Sequence, residues 1–440
     1  MRMSRFLATV IVTGIVLRLA IAALFSFPYD FHSWALIISN FEAGNGLYDV
    51  AGFNYAPPWG YVLGLFSQFA ELAGVDVLGV FSTEFLFMEE SSWSPTAFVT
   101  SEAFNVAFEF VLLAFDLVMS SMLYGIVMER RSDERMAEKT FALWFLCPFV
   151  LAVTCIGGMF DGLSAITAVL SMALAVRRRF FLSGSMIACA ALLKLFPAFL
   201  VFVLVGYVVC SYPDRRQARA HILKAVAGAV LTVVVLLLPQ IMDGTLPYCF
   251  SFISSRADGG MGNGFGMLMS MAVIAVYLAI LVLSFLIGRY MARYKGEDRE
   301  RKFFMMMSLN VAVLFICPAN PQYILLLAPF LILLMVFDGN RGYSKAYILL
   351  CIGATMSVCT SIVPSLESFS LFTGFMDPDW LVSAIGVWTA EWHGISLASI
   401  LWVGGVIQYI ATTLVIYTFW KGEFGGAVPS VRHRVRAGTS

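Results

Sequence analysis

The sequence predicts an all-α polytopic membrane protein. Hydrophobic residues make up 60% of the 440-residue chain and charged residues only 13%, and the mean hydropathy is +0.85. Charged residues amount to about 25% of a typical soluble globular protein. Apolar runs of roughly 17–25 residues, long enough to cross a bilayer as a helix, recur along the chain between short charged loops. The chain therefore belongs to the membrane class, and a nucleic-acid-binding role is not expected.

The positions of Lys and Arg predict how the chain is threaded. All but three of the 28 Lys and Arg residues lie in seven short stretches, including both terminal regions. Because basic loops stay on the cytoplasmic side, placing all seven inside requires an even number of crossings between neighbours. The result is about twelve transmembrane helices with both termini cytoplasmic. The predicted spans are residues 6–26, 101–128, 140–156, 159–176, 180–194, 197–211, 222–242, 265–288, 303–317, 321–337, 346–363 and 396–420.

This threading predicts a single membrane domain, residues 1–420, followed by a short basic cytoplasmic tail, 421–440. Residues 27–100 become a large first extracytoplasmic loop, which contains no Lys or Arg. Within it, 58–74 and 77–88 are apolar enough to enter the membrane, and we expect them to form short helices that lie in the interface or dip into it. If 58–74 crossed alone, the basic loop at 129–139 would lie outside.

The three remaining basic residues, Arg18, Lys194 and Arg256, are candidate ligands for an anion. An ionisable side chain in or beside a span costs roughly 2.5–3.5 kcal/mol on insertion scales and is by default a functional-site hypothesis. All three fall towards the predicted external face. Two structural alternatives remain open: Arg18 could pair with Asp116 or another buried acid and hold helices together, and Lys194 could extend to the outer headgroups.

Polar residues from five regions converge on the same predicted face, at the ends of helices. They are Asp30 and His32 in "YDFHSW", Tyr55 in "YAPPWGY", Asp161 in "GGMFDG", Lys194 in "KLFP", and Asn320, Gln322 and Tyr323 in "NPQY". Each has a structural alternative: Asp30 and His32 as ordinary loop residues, Asp161 as a complement to a helix N-terminus, and the last three as interhelical hydrogen bonders.

The ordered set of strings "GNGLYDVAGFNYAPPWGY", "GGMFDG", "KLFP" and "NPQYILLLAPF" resembles the C-type (GT-C) glycosyltransferases, over roughly residues 10–335. The closest likeness is to their polyprenol-phosphate-sugar-dependent, mannosyltransferase-like members. The resemblance implies a multi-helix membrane enzyme with a large first external loop. It also implies inverting transfer of a sugar from a lipid-linked phosphate donor to an acceptor outside the cytoplasm.

The resemblance assigns the role of base to the aspartate that follows the first span, here Asp30. Negative charge develops on the leaving phosphate, and fixed cations stabilise it in a low-dielectric cleft. Lys194, Arg256 and Arg18 are the candidate phosphate ligands. His32, Tyr55, Asp161, Asn320, Gln322 and Tyr323 are expected to bind substrate.

The sequence departs from the family pattern in two ways. Some relatives carry a second acid two positions after the first, where this chain has His32, so we predict no resident metal, although a divalent cation is left open. The second external loop and the tail are short, so no soluble acceptor-binding domain is expected. The acceptor, a lipid-linked glycan, a glycolipid or a protein, would have to enter a cavity at the membrane edge.

Two rival functions remain open at this point. One is a multi-pass transporter or flippase of lipid-linked sugars, which would place its ionisable residues near the bilayer midplane. The other is an inactive assembly partner that keeps the fold and tolerates Asp30→Asn. The clustering of polar groups at one face favours chemistry outside the cytoplasm, in the plasma membrane if the chain is prokaryotic.

Overall fold

The computed structural model describes residues 4–25, 28–49, 53, 55–74, 100, 102–250, 264–316, 321–362 and 397–424. Within these ranges the chain is helical and contains no strand, as the sequence predicts. The side chains of a few residues inside helices, among them His32, lie outside the description.

Fifteen α-helices, numbered in chain order, make up most of the described residues. They are α1 (Arg5–Leu24), α2 (Pro28–Glu42), α3 (Pro57–Leu72), α4 (Glu102–Arg131), α5 (Glu134–Phe145), α6 (Pro148–Leu151), α7 (Asp161–Val176), α8 (Phe180–Leu193), α9 (Val201–Ser211), α10 (Arg215–Met242), α11 (Gly264–Arg293), α12 (Arg299–Leu314), α13 (Leu327–Asp338), α14 (Arg341–Ile362) and α15 (Leu397–Phe424). A π-helical turn covers Ala152–Ile156, and 3₁₀ turns cover Phe196–Leu200, Leu246–Phe250 and Pro321–Leu326.

The apolar helices are typical of an integral membrane protein. Eight helical segments in the described chain are long and apolar enough to cross a bilayer, and three further apolar helices are shorter. These eleven match predicted spans in order, and α12 occupies the position of the remaining one. Length and composition do not show that a helix crosses, so the count of twelve and the sidedness stay predictions.

Local sequence explains where the helices that follow charged loops begin. The side chains of Asp133, Asp214 and Asp298 each accept a hydrogen bond from a backbone N–H of the first turn, and Ser4 does the same for α1. Such N-caps satisfy donors that the first turn leaves unpaired. These four helices therefore begin at a defined residue.

Small residues allow neighbouring helices to approach closely. A Cβ on Gly184 would lie 1.8 Å from the Ala225 carbonyl oxygen, and one on Gly228 would lie 2.0 Å from the Phe181 carbonyl oxygen. Helices α8 and α10 therefore touch backbone to backbone. Packing of this kind holds helices together in lipid, where apolar surface gives no net driving force.

The first loop contains more helix than the sequence predicts. Segment 58–74 forms α3, whereas 77–88 lies outside the described residues. The opening strip around Asp30, expected as loop, is the helix α2. The reason is an apolar stripe at helical spacing: Phe31, Trp34 and Ile38 are buried against α3 and α4 in a separate small core.

Candidate functional site

Lys194 lies at the point where α8 ends. The backbone of Lys194 is extended (φ −148°, ψ 138°), while its N–H still donates to the Ala190 carbonyl oxygen at 2.9 Å. The following turn contains Pro197, whose ring cannot continue an α-helix. The break turns the Lys194 side chain inward, so that only 9% of it is exposed.

Asp161 is the partner of this buried ammonium. It opens α7, and its Oδ2 lies 3.4 Å from Lys194 Nζ. No described residue gives either atom a hydrogen-bond partner of good geometry. A buried charge pair with unsatisfied atoms is costly, because desolvation of the charges is only partly offset. Both atoms therefore retain the capacity to form a hydrogen bond with a further polar group.

Three aromatic rings surround the ammonium. Lys194 Nζ lies 4.9 Å from the ring centroid of Tyr55, 4.4 Å from that of Phe160 and 4.9 Å from that of Tyr323. Aromatic faces attract cations, and more strongly where water is excluded. The three rings come from the first loop, the start of α7 and the 3₁₀ turn Pro321–Leu326, so distant parts of the chain meet at Lys194.

Asp30 lies in the first turn of α2 and is partly buried. Burial raises the pKa of Asp30 to about 7; Lys194 acts to lower this pKa and Asp161 to raise it. Lys194 and Asp161 are therefore the charged groups that act on Asp30. A carboxyl group with a pKa near neutrality is well suited to take a proton in general base catalysis.

Tyr55 is the fourth polar member of the cluster. Burial raises the pKa of Tyr55 to about 12, so the phenol stays protonated at neutral pH and remains a hydrogen-bond donor. Its backbone carbonyl oxygen accepts a hydrogen bond of 2.8 Å from Tyr48 Oη. This contact fixes the loop before α3.

The space inside the cluster is small. A cavity of about 10 Å³ lies between Asp161, Lys194, Pro197 and Tyr323. That volume is at the lower limit for one water molecule. A sugar or a phosphate does not fit in this cavity between the described residues.

The described contacts of Arg18 are with other residues, and its assignment as a phosphate ligand stays a prediction. Its Nε and Nη2 donate to Asp116 Oδ2 at 3.2 and 2.9 Å, and Nη1 donates to the Phe145 carbonyl oxygen at 2.7 Å. The side chain is fully buried. The structure therefore has the Arg18–Asp116 pair that the sequence left open as an alternative, and the guanidinium is already engaged.

The other predicted residues have mixed outcomes. Arg256 and Asn320 lie outside the described residues, and His32 lies on α2 with its side chain outside the description. Gln322 is partly buried in the same 3₁₀ turn as Tyr323. Tyr55, Asp161 and Tyr323 contact Lys194, and Asp30 interacts electrostatically with this group.

Two aromatic residues of the site were missed at the level of sequence. Phe160 contacts Lys194 and stacks on Trp59 with ring centroids 4.4 Å apart, and Trp34 donates from Nε1 to the Gly158 carbonyl oxygen at 2.9 Å. Phe160 directly precedes Asp161, and Trp34 follows Asp30 by one helical turn. Recognising residues 28–42 as a helix would have identified Trp34.

Comparison with known proteins gives the family. The model of glycosyltransferase family 87 matches residues 93–318, about half of the chain. A search of curated proteins found no match. The matched region contains Asp161 and Lys194 but begins after Asp30. The chain therefore belongs to glycosyltransferase family 87, a membrane family of the C type, in agreement with the resemblance seen in the sequence.

Proposed function

We propose that this member of glycosyltransferase family 87 is an inverting enzyme that uses a polyprenyl-phosphate sugar as donor. The sugar is mannose or another hexose or pentose, and the acceptor is a lipid-linked glycan, a glycolipid or a protein. The observation that carries the proposal is the cluster of Asp30, Asp161 and Lys194. It joins a carboxyl group suited to proton transfer to a buried cation that lacks a full set of hydrogen bonds.

In the proposed reaction, Asp30 is the general base. The acceptor hydroxyl oxygen attacks the anomeric carbon of the donor and its proton passes to the Asp30 carboxylate. The bond between the anomeric carbon and the phosphate oxygen breaks, and its electron pair stays on the phosphate. Attack from the face opposite the phosphate inverts the anomeric configuration.

Lys194 stabilises the phosphate that leaves. Negative charge grows on the phosphate oxygens in the transition state, and a fixed cation in a dry site lowers the energy of that charge. Among the described residues, Asp161 is the one carboxylate in contact with the ammonium, at 3.4 Å, and a phosphate oxygen would replace or join it. Arg256 remains a proposed second phosphate ligand, and Arg18 is the weakest of the three candidates because it already donates to Asp116.

The remaining polar groups recognise the substrates. Tyr55 has a protonated phenol at neutral pH and is proposed to donate to a sugar hydroxyl, and Asp161 to accept from one. Tyr323 provides an aromatic wall. The distribution of Lys and Arg supports an extracytoplasmic site and cytoplasmic termini.

Transfer by the purified protein tests the proposal. The protein in lipid nanodiscs is given polyprenyl-phosphate mannose, glucose or a pentose, or the matching nucleotide sugars, with glycolipid and peptide acceptors. We expect a glycosylated product only from a polyprenyl-phosphate donor, with inverted anomeric configuration by NMR. Transfer from nucleotide sugars alone, or retention of configuration, would contradict the proposal.

A second assay with the same purified protein distinguishes the proposed enzyme from a transporter or flippase of lipid-linked sugars. Vesicles that contain the protein and a fluorescent lipid-linked sugar report movement of the lipid between leaflets. If no donor supports transfer but lipid movement depends on the protein, the chain is a transporter and the proposed reaction is wrong.

A further inference from the structure

A short irregular segment, residues 152–158, joins the Arg18–Asp116 ion pair to the proposed catalytic cluster. It consists of the π-helical turn Ala152–Ile156 and two glycines, and it lies between α6 and α7. One side of this segment contacts the ion pair inside the helix bundle. The other side contacts α2, the helix that contains Asp30.

The backbone of the segment departs from a regular helix. The Gly157 N–H donates to the Ala152 carbonyl oxygen at 3.0 Å, and the Met159 N–H to the Val153 carbonyl oxygen at 3.1 Å. Gly158 has φ +60°, which favours glycine. π-helical turns are rare and occur frequently at functional sites. Such a turn is not maintained by the regular α-helical ladder and needs contacts from its surroundings.

The bundle side of the segment is held through Thr154. Its hydroxyl donates to Asp116 Oδ2 at 3.3 Å and shares the same proton with the Val150 carbonyl oxygen at 2.9 Å. Asp116 is itself fixed by Arg18 and by Trp144 Nε1, which donates to Oδ1 at 3.1 Å. Because Arg18 and Trp144 hold the Asp116 carboxylate in place, this carboxylate cannot move with Thr154.

The site side of the segment is held through Gly158. Its carbonyl oxygen accepts the 2.9 Å hydrogen bond from Trp34 Nε1, and a Cβ at this position would lie 2.7 Å from the Phe31 ring. Phe31 follows Asp30 directly in α2. Two residues after Gly158 come Phe160 and then Asp161. A shift of Gly158 would therefore move α2 and the start of α7 together.

We infer that Thr154 is a positioning residue, which ties the 152–158 segment to the Arg18–Asp116 pair and so fixes Asp30 relative to Asp161 and Lys194. The inference rests on the proposed function for its effect on rate. Thr154 is 2% exposed, and within the described part of the chain its hydrogen bonds go to Asp116, Val150 and Cys155, none of which we propose to contact substrate. Its effect comes through geometry, since a displacement of about 1 Å is enough to cost a hundredfold in rate.

Two substitutions of Thr154, one that removes its hydroxyl group and one that keeps it, test the inference. Thr154→Val keeps the shape and removes the hydroxyl, whereas Thr154→Ser keeps the hydroxyl. Thr140→Val is the matched control, because Thr140 is also buried and bonds the carbonyl oxygen four residues earlier, that of Met136 at 2.8 Å. For Thr154→Val we expect kcat to fall by roughly 10–100-fold with KM within about twofold of wild type. Thr154→Ser should recover most of the rate, and Thr140→Val should match wild type.

Hydrogen exchange gives a second readout that does not depend on activity. Amides of the peptide 152–161 should exchange faster in Thr154→Val than in wild type, and at the wild-type rate in Thr140→Val and Thr154→Ser. Unchanged exchange in Thr154→Val, or a loss of rate that serine does not restore, would overturn the inference. If wild type transfers no sugar, the proposed function fails, and the exchange rates still decide whether Thr154 holds the segment.

Discussion

Two buried cations of the bundle are held in different ways. Arg18 donates to Asp116 and to two backbone carbonyl oxygens, and its guanidinium carbon lies 4.2 Å from the centroid of the Phe145 ring. Lys194 has one carboxylate at 3.4 Å and three aromatic rings, with no well-formed hydrogen bond among the described residues. Both lie beside acidic residues in an apolar surrounding.

The difference separates a structural cation from a candidate functional one. A buried charge is tolerated when hydrogen bonds replace the water it lost. Arg18 meets that requirement, partly because the break between α5 and α6 at Pro148 leaves the Phe145 carbonyl oxygen available. Among the described residues, the Lys194 ammonium lacks such hydrogen bonds, and we interpret this lack as the capacity to bind a phosphate oxygen.

The largest expected effect is the loss of sugar transfer when the proposed base, Asp30, is replaced. Asp30→Asn removes the group that takes the proton, and we expect transfer to fall by roughly 10²–10⁴-fold while the unfolding temperature is unchanged. Initial rates with a polyprenyl-phosphate sugar measure it. Asp49→Asn is the control, because Asp49 belongs to the same loop and its carboxylate accepts a hydrogen bond from the Gly46 N–H, the one such bond that the described residues give it. Equal rates for wild type and Asp30→Asn would remove Asp30 from the mechanism.

The second effect concerns stability. Arg18→Met leaves Asp116 and Glu109 buried without their cation, and we expect the free energy of unfolding to fall by about 3–5 kcal/mol. Lys194→Met should cost less, since Lys194 makes fewer hydrogen bonds. Unfolding in mixed detergent micelles compares the two. A larger loss for Lys194→Met would reverse our assignment of the two cations.

The smallest effect is a displacement of the pH profile. Because Asp30 must be ionised to act as base, the rate should rise with pH and level off above a pKa of about 7. Asp161→Asn removes a negative charge that raises this pKa, so the acidic limb should move to lower pH. Lys194→Met removes the cation that lowers the pKa, so the limb should move to higher pH. Rates from pH 5 to 9 measure both, and shifts in the same direction would contradict the arrangement of charges.

Most of the fold can be predicted from the sequence, because the length of the apolar runs and the positions of Lys and Arg constrain which segments form helices in a bilayer. The helix α2 is the exception. Its polar and aromatic residues give a weak apolar signal, and only packing against α3 and α4 shows which face is buried. Tertiary contacts, not local hydropathy, decide such a helix.

The site was predictable in part. Asp30, Tyr55, Asp161, Lys194 and Tyr323 all lie at or near breaks in helices, which the prolines and glycines of the sequence mark. The partner of Arg18 was not decidable, because the rotation of α1 against α4 does not follow from hydropathy. The aromatic rings around Lys194 come from three distant regions, and no spacing in the chain predicts that meeting.

A third buried cation provides the control for the central claim. Lys302 contacts Glu423 and lies 5.0–5.4 Å from the ring centroids of Tyr290, Tyr294 and Phe419. Like Lys194, it lies beside a carboxylate and three aromatic rings, but its contact with the carboxylate is closer. If an incompletely bonded cation is what receives the phosphate, the two lysines should differ in binding although both are buried in the bundle.

The most direct measurement is the affinity of wild type, Lys194→Met and Lys302→Met for a short-chain polyprenyl phosphate, by calorimetry in nanodiscs. Loss of a hydrogen bond to a charged group costs about 1.5–3 kcal/mol. We therefore predict affinity about 10–150-fold weaker for Lys194→Met and unchanged for Lys302→Met. Equal affinity of wild type and Lys194→Met would contradict the account.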